Sequence, residues 1–521
     1  FVGLMDSFQD PFLVLISCIL SLRTNDKTTY PATLRMLKLG KTPKDFANCD
    51  VKELEKAIYP VGFYANKAKQ IVELSKELVE NTLNIRGDKS LEEINKDRLT
   101  VADIIKGGAN IDNIILKSYN LDNSQLMADI LVENYNPQNP VVDSMRTALF
   151  YLPEVDKSMW NELSIWNRCF SKKIKTSSVN ITPNKENYKF KYIMQHDKNS
   201  PVAIIYPSIG EGITSHHSVV LAKIFYDAGY SVIIQGSHFQ WEFVKSMPEG
   251  YAPGLPFEDV KYLKAVTSKI VDKLENKYNC KFSGKTVIGT SFGALTTMFL
   301  ANEEYKNNTL NITKFISICP PIELIYAMEQ VDKNSEEWNK NLKDIKNKAA
   351  LTAAKVVQLT DMKDTAKDLN LTILPFTEEE GKLITGFIMH QKLSDLIFTL
   401  EDTPKNKKTD IYEKINNMNY RDYAEKYLLS EKYKTIEDIR ENSSLLSISD
   451  FLEHGTNYKI YHSLDDYLVN QKQLKQLKIH TGKKTLLLSN GAHLGFLYTP
   501  EFLKDLKQEI SLTTKTANIK N

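Results

Sequence analysis

A chain of 521 residues with 42% hydrophobic and 25% charged residues can fill more than one apolar core, which excludes wholesale disorder. Lys plus Arg (67) nearly balance Asp plus Glu (65), so a globally basic nucleic-acid binder is excluded, although a local basic patch is not. No apolar run reaches the ~20 residues that a membrane-spanning helix needs, so a polytopic membrane protein is excluded as well.

The first segment, residues 1–85, reads as helices. Residues 12–22 (FLVLISCILSL) form an apolar run whose Leu15-Ile16-Ser17-Cys18 superficially matches a lipoprotein cleavage box. Asp6 and Asp10 precede it and no Lys or Arg does, so a buried helix, opened by Pro11, is the better reading. Thr42-Pro43 and Asp50 look like helix starts. Ala68, Ile71, Val72, Ser75, Leu78 and Val79 share one face of a helix over 64–80, and Gly62 is expected to end the helix before it. Residues 86–185 show only short amphipathic stretches between Gly107-Gly108, Asn-rich turns and prolines, and read as a helical or irregular connection.

From about residue 186 strands alternate with helices. Strands are predicted at 188–194, 202–206 (VAIIY), 231–234 (SVII), 286–288, 315–318 (FISI), 458–461 and 485–488 (TLLL), with helices at 215–227, 257–278 and 294–301 between them. Wholly apolar strands separated by helices imply a doubly wound, mostly parallel α/β sheet covered on both faces. Residues 322–450 interrupt it with charged, helical sequence and read as a cap or lid. The cysteines, Cys18, Cys49, Cys169, Cys280 and Cys319, are scattered and never in a CxxC spacing. That argues against a disulfide scaffold, a zinc ribbon or an iron–sulfur cluster and for free thiols in the cytoplasm.

The sharpest chemical signal is Gly289-Thr290-Ser291-Phe292-Gly293, between an apolar strand and an apolar helix. A serine hydroxyl is a poor nucleophile unless a sharp strand-to-helix turn presents it beside a base, and that turn leaves room only for small residues two before and two after. The base and its orienting acid should follow in the order acid, then histidine. Asp465-Asp466 comes after the strand at 458–461, and His493 lies in Gly491-Ala492-His493-Leu494-Gly495-Phe496 after the last strand. All three sit at carboxyl ends of strands, where open α/β sheets carry their sites.

With these residues in this order, residues 186–512 resemble the α/β-hydrolase family. The resemblance implies a serine hydrolase that cleaves an ester, thioester or amide of a small acyl substrate through an acyl-enzyme, with no cofactor and no metal. It implies Ser291 as nucleophile, His493 as base and an aspartate of the 465–466 pair as orienter. Asp466 is preferred, because Asp466-Tyr467-Leu468-Val469 is similar to the family's Asp-x-Ile/Leu-Val, with Asp465 left as a neighbour or turn residue; Asn470 stands where proline is common. The oxyanion donors are expected at the amide of Phe292 and, in the loop Pro207-Ser208-Ile209-Gly210-Glu211-Gly212, at Ile209, with Gly210 second. That loop lacks the Gly-Lys-Ser/Thr ending of a phosphate loop. His216-His217 lacks a suitably spaced third metal ligand and suits a helix start or pocket rim. His238 and Trp241 could line the substrate pocket or simply pack.

Residues 1–85 resemble a different family, the endonuclease III-like DNA glycosylases. The resemblance rests on Asp10-Pro11-Phe12, Ile19-Leu20-Ser21-Leu22-Arg23-Thr24-Asn25-Asp26, Thr42-Pro43 and Tyr59-Pro60-Val61-Gly62-Phe63-Tyr64-Ala65-Asn66-Lys67-Ala68. It implies that Arg23 lies at the DNA, where it can enter the space left by a flipped base. A helix–hairpin–helix of the Leu-Pro-Gly-Val-Gly-Arg-Lys-Thr type, carrying the catalytic lysine, should follow residue 85 and does not, nor does the catalytic aspartate or four-cysteine cluster. The alternative function, a glycosylase or abasic-site lyase in base-excision repair, therefore lacks its catalytic part. A nucleic-acid partner is left open only through residues 1–85, and oligomeric state is open.

Overall fold

A computed structural model describes residues 26–86, 128–149 except 129 and 133, 174–336, 373–401 and 417–519, together with the isolated positions 13, 16, 20, 352, 355 and 415. The chain divides into two compact units, Phe1–Ile111 and Asp112–Asn521.

The described part of the first unit is helical: Asp26–Met36, Pro43–Ala47, Val51–Ile58 and Tyr64–Arg86. Both predicted starts hold for a local reason. Thr42 and Asp45 form a reciprocal capping box, and the Asp50 carboxylate accepts the amides of Lys52 and Glu53. The third helix stops at Ile58, ahead of Gly62, because the proline at position 60 disfavours helical backbone at Tyr59, which is extended. Leu13, Ile16 and Leu20 are helical and buried, at the spacing of one face, and join Phe46, Leu54, Ile58, Ala68 and Ile71 in a small core. Arg23 lies outside the described residues.

Among the described residues the second unit has eight strands: β1 (Lys175–Val179), β2 (Tyr188–Ile193), β3 (Val202–Tyr206), β4 (Ser231–Ile234), β5 (Lys285–Thr290), β6 (Lys314–Ile318), β7 (Tyr458–Ser463) and β8 (Thr485–Leu488). They order as β1-β2-β4-β3-β5-β6-β7-β8. β2 pairs antiparallel with both of its neighbours, and every other pair is parallel. β1 was absent from the strand pattern because Lys-Thr-Ser-Ser-Val is polar and edge-exposed, with only Val179 buried.

Alternate residues of the central strands feed opposite faces of the sheet. Val202, Ile204 and Tyr206 of β3 enter one core with Val260, Leu263, Val266 and Ile270 of the helix Pro256–Tyr278, and with Leu295, Met298 and Phe299 of the helix Phe292–Lys306. Ala203 and Ile205 enter the other with Val220, Leu221 and Ile224 of the helix His216–Asp227, and with Phe502, Leu506 and Ile510 of the helix Pro500–Ile519. Each fully buried Val or Ile here contributes about 1.5–3 kcal/mol. The fold is thus the doubly wound α/β-hydrolase arrangement, and it fixes the carboxyl ends of β5, β7 and β8 on one rim.

Between β6 and β7 the chain makes the helical excursion, which carries Leu324–Glu336, Glu378–Leu400, Tyr420–Tyr423 and Ile436–Asn442. It packs on the loops that follow β3 and β4. Phe239 stacks on Tyr420 (5.9 Å) and meets Tyr423 edge-on (5.3 Å), and the Tyr423 hydroxyl donates to the Pro253 carbonyl at 2.6 Å.

Candidate active site

Ser291 terminates β5 with φ 52° and ψ −119°, a conformation that costs a non-glycine residue about 1–3 kcal/mol and persists only where its surroundings enforce it. The enforcement is steric. A Cβ on Gly289 would stand 2.3 Å from the Gly293 carbonyl oxygen, and one on Gly293 would stand 2.2 Å from the Tyr206 oxygen. The Ser291 amide donates to Ile318 of β6 at 2.9 Å, so the turn is tied to the sheet on its other side. The first amides of the following helix, Phe292 and Gly293, have no intrahelical acceptor and carry its positive dipole end.

His493 lies in a loop with three positive φ values, Gly491 (122°), Ala492 (50°) and Leu494 (68°). Its Nε2 is 2.8 Å from Ser291 Oγ and its Nδ1 is 2.7 Å from Asp466 Oδ2. The structure therefore brings the hydroxyl, imidazole and carboxylate together across 202 and 27 residues of sequence. Burial opposes ionisation of the enclosed Asp466, but His493, His462 and the Leu468 amide, which donates at 2.9 Å, outweigh it and hold the carboxyl below its ordinary range. A carboxylate at Nδ1 requires the proton there, which leaves Nε2 as the acceptor for the Ser291 hydroxyl.

Asp465 points elsewhere. Its Oδ1 accepts the Ala492 amide at 2.8 Å and the Ser463 hydroxyl, so it braces the histidine loop from the neighbouring strand end. His462 is enclosed 4.0 Å from Asp466, and the Ser463 amide donates to its Nδ1 at 2.9 Å. Its Nε2 therefore donates to the Pro320 carbonyl at 2.9 Å, and burial lowers its pKa, so it is a neutral wall rather than a second base.

The loop after β3 meets the first turn of the serine's helix at Gly293, where Tyr206 and Pro207 oxygens crowd the missing Cβ. Ile209 is buried there. Gly210 has φ +64°, and a Cβ on it would stand 2.8 Å from Cβ of Lys392 on the cap helix. Glu211 opposes His217, whose Nδ1 is 3.4 Å from Oε1. Burial opposes the Glu211 charge, yet His217, Lys392 and Ser215 outweigh it and bring its pKa to about 2. His217 Nε2 is 3.0 Å from Thr147 Oγ1, and His216 sits edge-on to Tyr498 at 5.8 Å.

His238 is buried and stacks on Phe292 with centroids 4.5 Å apart, its Nε2 3.4 Å from Asp259. Trp241 is half-buried with Lys245 Nζ 4.8 Å from its ring centre. Cys319 Sγ, an Asp466 oxygen and a His493 nitrogen lie within 4.8 Å of one another, the spacing of a metal-ligand set. Burial and the nearby Asp466 push the Cys319 thiol up, and the other two groups are already bonded to each other, so the donors do not fit a resident ion.

Comparison with known proteins finds two different likenesses in the chain, and the first of them runs past the Ile111/Asp112 boundary between the units. A family model described as HhH-GPD superfamily base excision DNA repair protein matches residues 16–177. The chain is 41% identical to Endonuclease III of Thermotoga maritima over 87 residues, 17% of this chain and 40% of that protein. It is 32% identical to Endonuclease III of Bacillus subtilis over 73 residues, 14% of this chain and 33% of that protein. It thus spans well under half the length of these relatives. Among solved structures, an esterase from Pyrococcus furiosus is similar at 13% identity, covering 66% of this chain and 90% of that one with a TM-score of 0.35. A carboxyl esterase from Bacillus coagulans is similar at 11% identity, covering 66% and 98% with a TM-score of 0.33. The fold assignment rests on strand order and connection. An endonuclease III-like stretch in the N-terminal region is joined in one chain to an α/β-hydrolase fold.

Proposed function

We propose that the second unit is a serine hydrolase that cleaves an ester, thioester or amide of a small acyl substrate. The observation that carries this reading is the imidazole of His493, bonded at once to Ser291 Oγ (2.8 Å) and Asp466 Oδ2 (2.7 Å). His493 Nε2 takes the hydroxyl proton as Ser291 Oγ attacks the acyl carbon, and Asp466 stabilises the imidazolium that results. The carbonyl oxygen becomes an oxyanion, for which the Phe292 amide is the first donor and that of Ile209, or of Gly210, the second; such a donor is worth about 3–4 kcal/mol. His493 returns the proton to the leaving oxygen, sulfur or nitrogen as that bond breaks. Water, deprotonated by the same imidazole, then releases the acyl group from Ser291. His238, stacked on Phe292, is placed to line the acyl or leaving-group pocket, and Lys392 of the cap helix Glu378–Leu400 packs against Gly210.

The match to base-excision repair proteins supports a second reading for the first unit, contact with DNA through Arg23 and its neighbours without base excision. One set of assays separates the two. The intact chain is expected to react with a fluorophosphonate probe and to turn over short p-nitrophenyl esters. Ser291→Ala is expected to abolish labelling and lower turnover about 10⁴-fold or more. Undiminished turnover in that variant would end the hydrolase reading. No borohydride-trapped adduct with abasic DNA is expected, and one would restore the lyase.

A further inference from the structure

We propose that the segment 136–147, which precedes the whole sheet in the chain, is a strap that holds the catalytic histidine loop and the cap in one geometry, with Ser144 as the positioning residue for His493. The inference rests on the hydrolase reading and goes beyond it, since nothing in the segment's composition or in the serine–histidine–aspartate set points to it.

The strap is anchored and internally locked. Leu131, Val132 and Tyr135 share a core with Phe496, Leu497, Phe502 and Leu506. Asn134 donates to Glu501 at 2.8 Å and Thr499 to the Leu131 carbonyl at 3.3 Å. From there the chain turns through Pro140–Asp143, capped by Asn139, whose Oδ1 accepts the Val141 amide at 2.9 Å. Arg146 and Asp143, at most 4% exposed, bond at 2.8 Å. Arg146 also reaches the Asn136 carbonyl (2.9 Å), while Asp143 accepts the Gln138 amide (2.7 Å). A buried pair with its remaining valences filled fixes a local shape that a lone ion could not.

Three contacts extend from this lock. The first goes to the cap: the Gln138 side chain donates to the Leu374 carbonyl (3.1 Å) and accepts its amide (2.7 Å), and Asn139 donates to Glu378 (3.0 Å). Val142 lies against Gly381 of the cap helix, 3.1 Å from where a Cβ would be. The second goes to the oxyanion loop, through Thr147 and His217 to Glu211. The third goes to the histidine itself. The Ser144 hydroxyl donates to the Pro140 carbonyl at 2.6 Å, and its oxygen accepts the His493 backbone amide at 3.0 Å. Two residues on, Gly495 is pressed so closely that a Cβ would stand 2.6 Å from the Asp143 oxygen and 2.7 Å from the Tyr135 hydroxyl.

The consequence follows from the loop's strain. A loop with positive φ at residues 491, 492 and 494 keeps its shape only if neighbours over-determine it. Asp465 pins Ala492 and Ser144 pins His493, so two successive backbone amides of the loop are held. Losing one lets the imidazole drift from the 2.8 Å bond to Ser291, and misplacement on the order of 1 Å costs about 10²-fold in rate.

Kinetics of Ser144→Ala, Ser144→Thr and Gln138→Ala test the strap. Ser144→Ala is expected to lower kcat about three- to tenfold with KM nearly unchanged, the effect of one neutral hydrogen bond. Ser144→Thr, which keeps the hydroxyl, is expected to restore it. The downfield proton resonance of His493 Nδ1–H is expected to broaden in the alanine variant, which a merely structural role would not produce. Gln138→Ala, loosening only the cap, is expected to raise KM instead. Wild-type kcat and an unchanged resonance in a folded Ser144→Ala would overturn the proposal. Should that variant fail to fold, equal kcat for wild type and Ser144→Cys, whose sulfur is a weak acceptor, would do the same. Failure of the hydrolase reading looks different: the wild-type chain itself would show no labelling at Ser291.

Discussion

The two halves of the candidate site are held by opposite means. Ser291 is fixed by its own neighbourhood: a strand before it, a helix after it, and two glycines within two residues whose hydrogens face carbonyl oxygens. His493 is fixed from a distance, by Asp466 27 residues upstream, by Asp465 through the amide of Ala492, and by Ser144 349 residues upstream. The serine side is thus a steric device that tolerates almost no change. The imidazole side is a set of hydrogen bonds of unequal worth, the one to Asp466 the largest, that fails by degrees. It follows that substitutions of similar size should be abrupt on one side and graded on the other.

The largest effect is expected at Gly293. A methyl group there would stand 2.2 Å and 2.4 Å from the Tyr206 and Pro207 oxygens, which belong to backbone and cannot step aside. Gly293→Ala should cost at least about 3 kcal/mol of stability, separate the loop after β3 from the helix, and abolish probe labelling. A denaturation midpoint within experimental error of wild type, with full labelling, would show that the two sides are not so different.

Next come the adjacent carboxylates, which sharpen the comparison within the graded side. Asp466→Asn presents an amide to His493 Nδ1, favours the tautomer with the proton on Nε2, and is expected to lower kcat about 10⁴-fold while the fold survives. Asp465→Ala removes only the acceptor for the Ala492 amide, and about a ten- to hundredfold loss is expected. Stopped-flow acylation rates measure both. Equal losses would mean that bracing and tautomer control are one function spread over two side chains.

This division also explains what the sequence disclosed. The core strands were visible because VAIIY, SVII and TLLL are buried on both faces, and the strand-to-helix turn at Ser291 because its steric demands fall within five consecutive residues. Thr42 and Asp50 could be recognised as caps because capping is a matter of three residues. β1 could not be seen, since an edge strand with one buried residue has no apolar period. Nor could Ser144, whose value comes entirely from an amide 349 residues later. The motif Asp466-Tyr467-Leu468-Val469 already favoured Asp466 over Asp465, but only the direction of each carboxylate shows that Asp465 turns to the Ala492 amide and Asp466 to His493.

The smallest effect concerns the loop that joins the two sides. Glu211 is held ionised at a pKa of about 2 against an ordinary 4.5, because His217, Lys392 and Ser215 outweigh the burial that opposes its charge. An acid whose folded-state pKa is depressed stabilises the fold fully above the unfolded value and loses that contribution as pH falls through the folded value. The contribution is therefore complete above pH 4.5 and declines toward pH 2. With a side chain 17% exposed it is about 1–2 kcal/mol rather than the full span of the shift. Denaturant titrations of wild type and Glu211→Gln should differ by that amount at pH 7 and by clearly less at pH 3.5. A difference that stayed constant with pH would assign the loss to packing beneath Lys392, and the loop would then belong with the steric side of the site rather than with the side that yields by degrees.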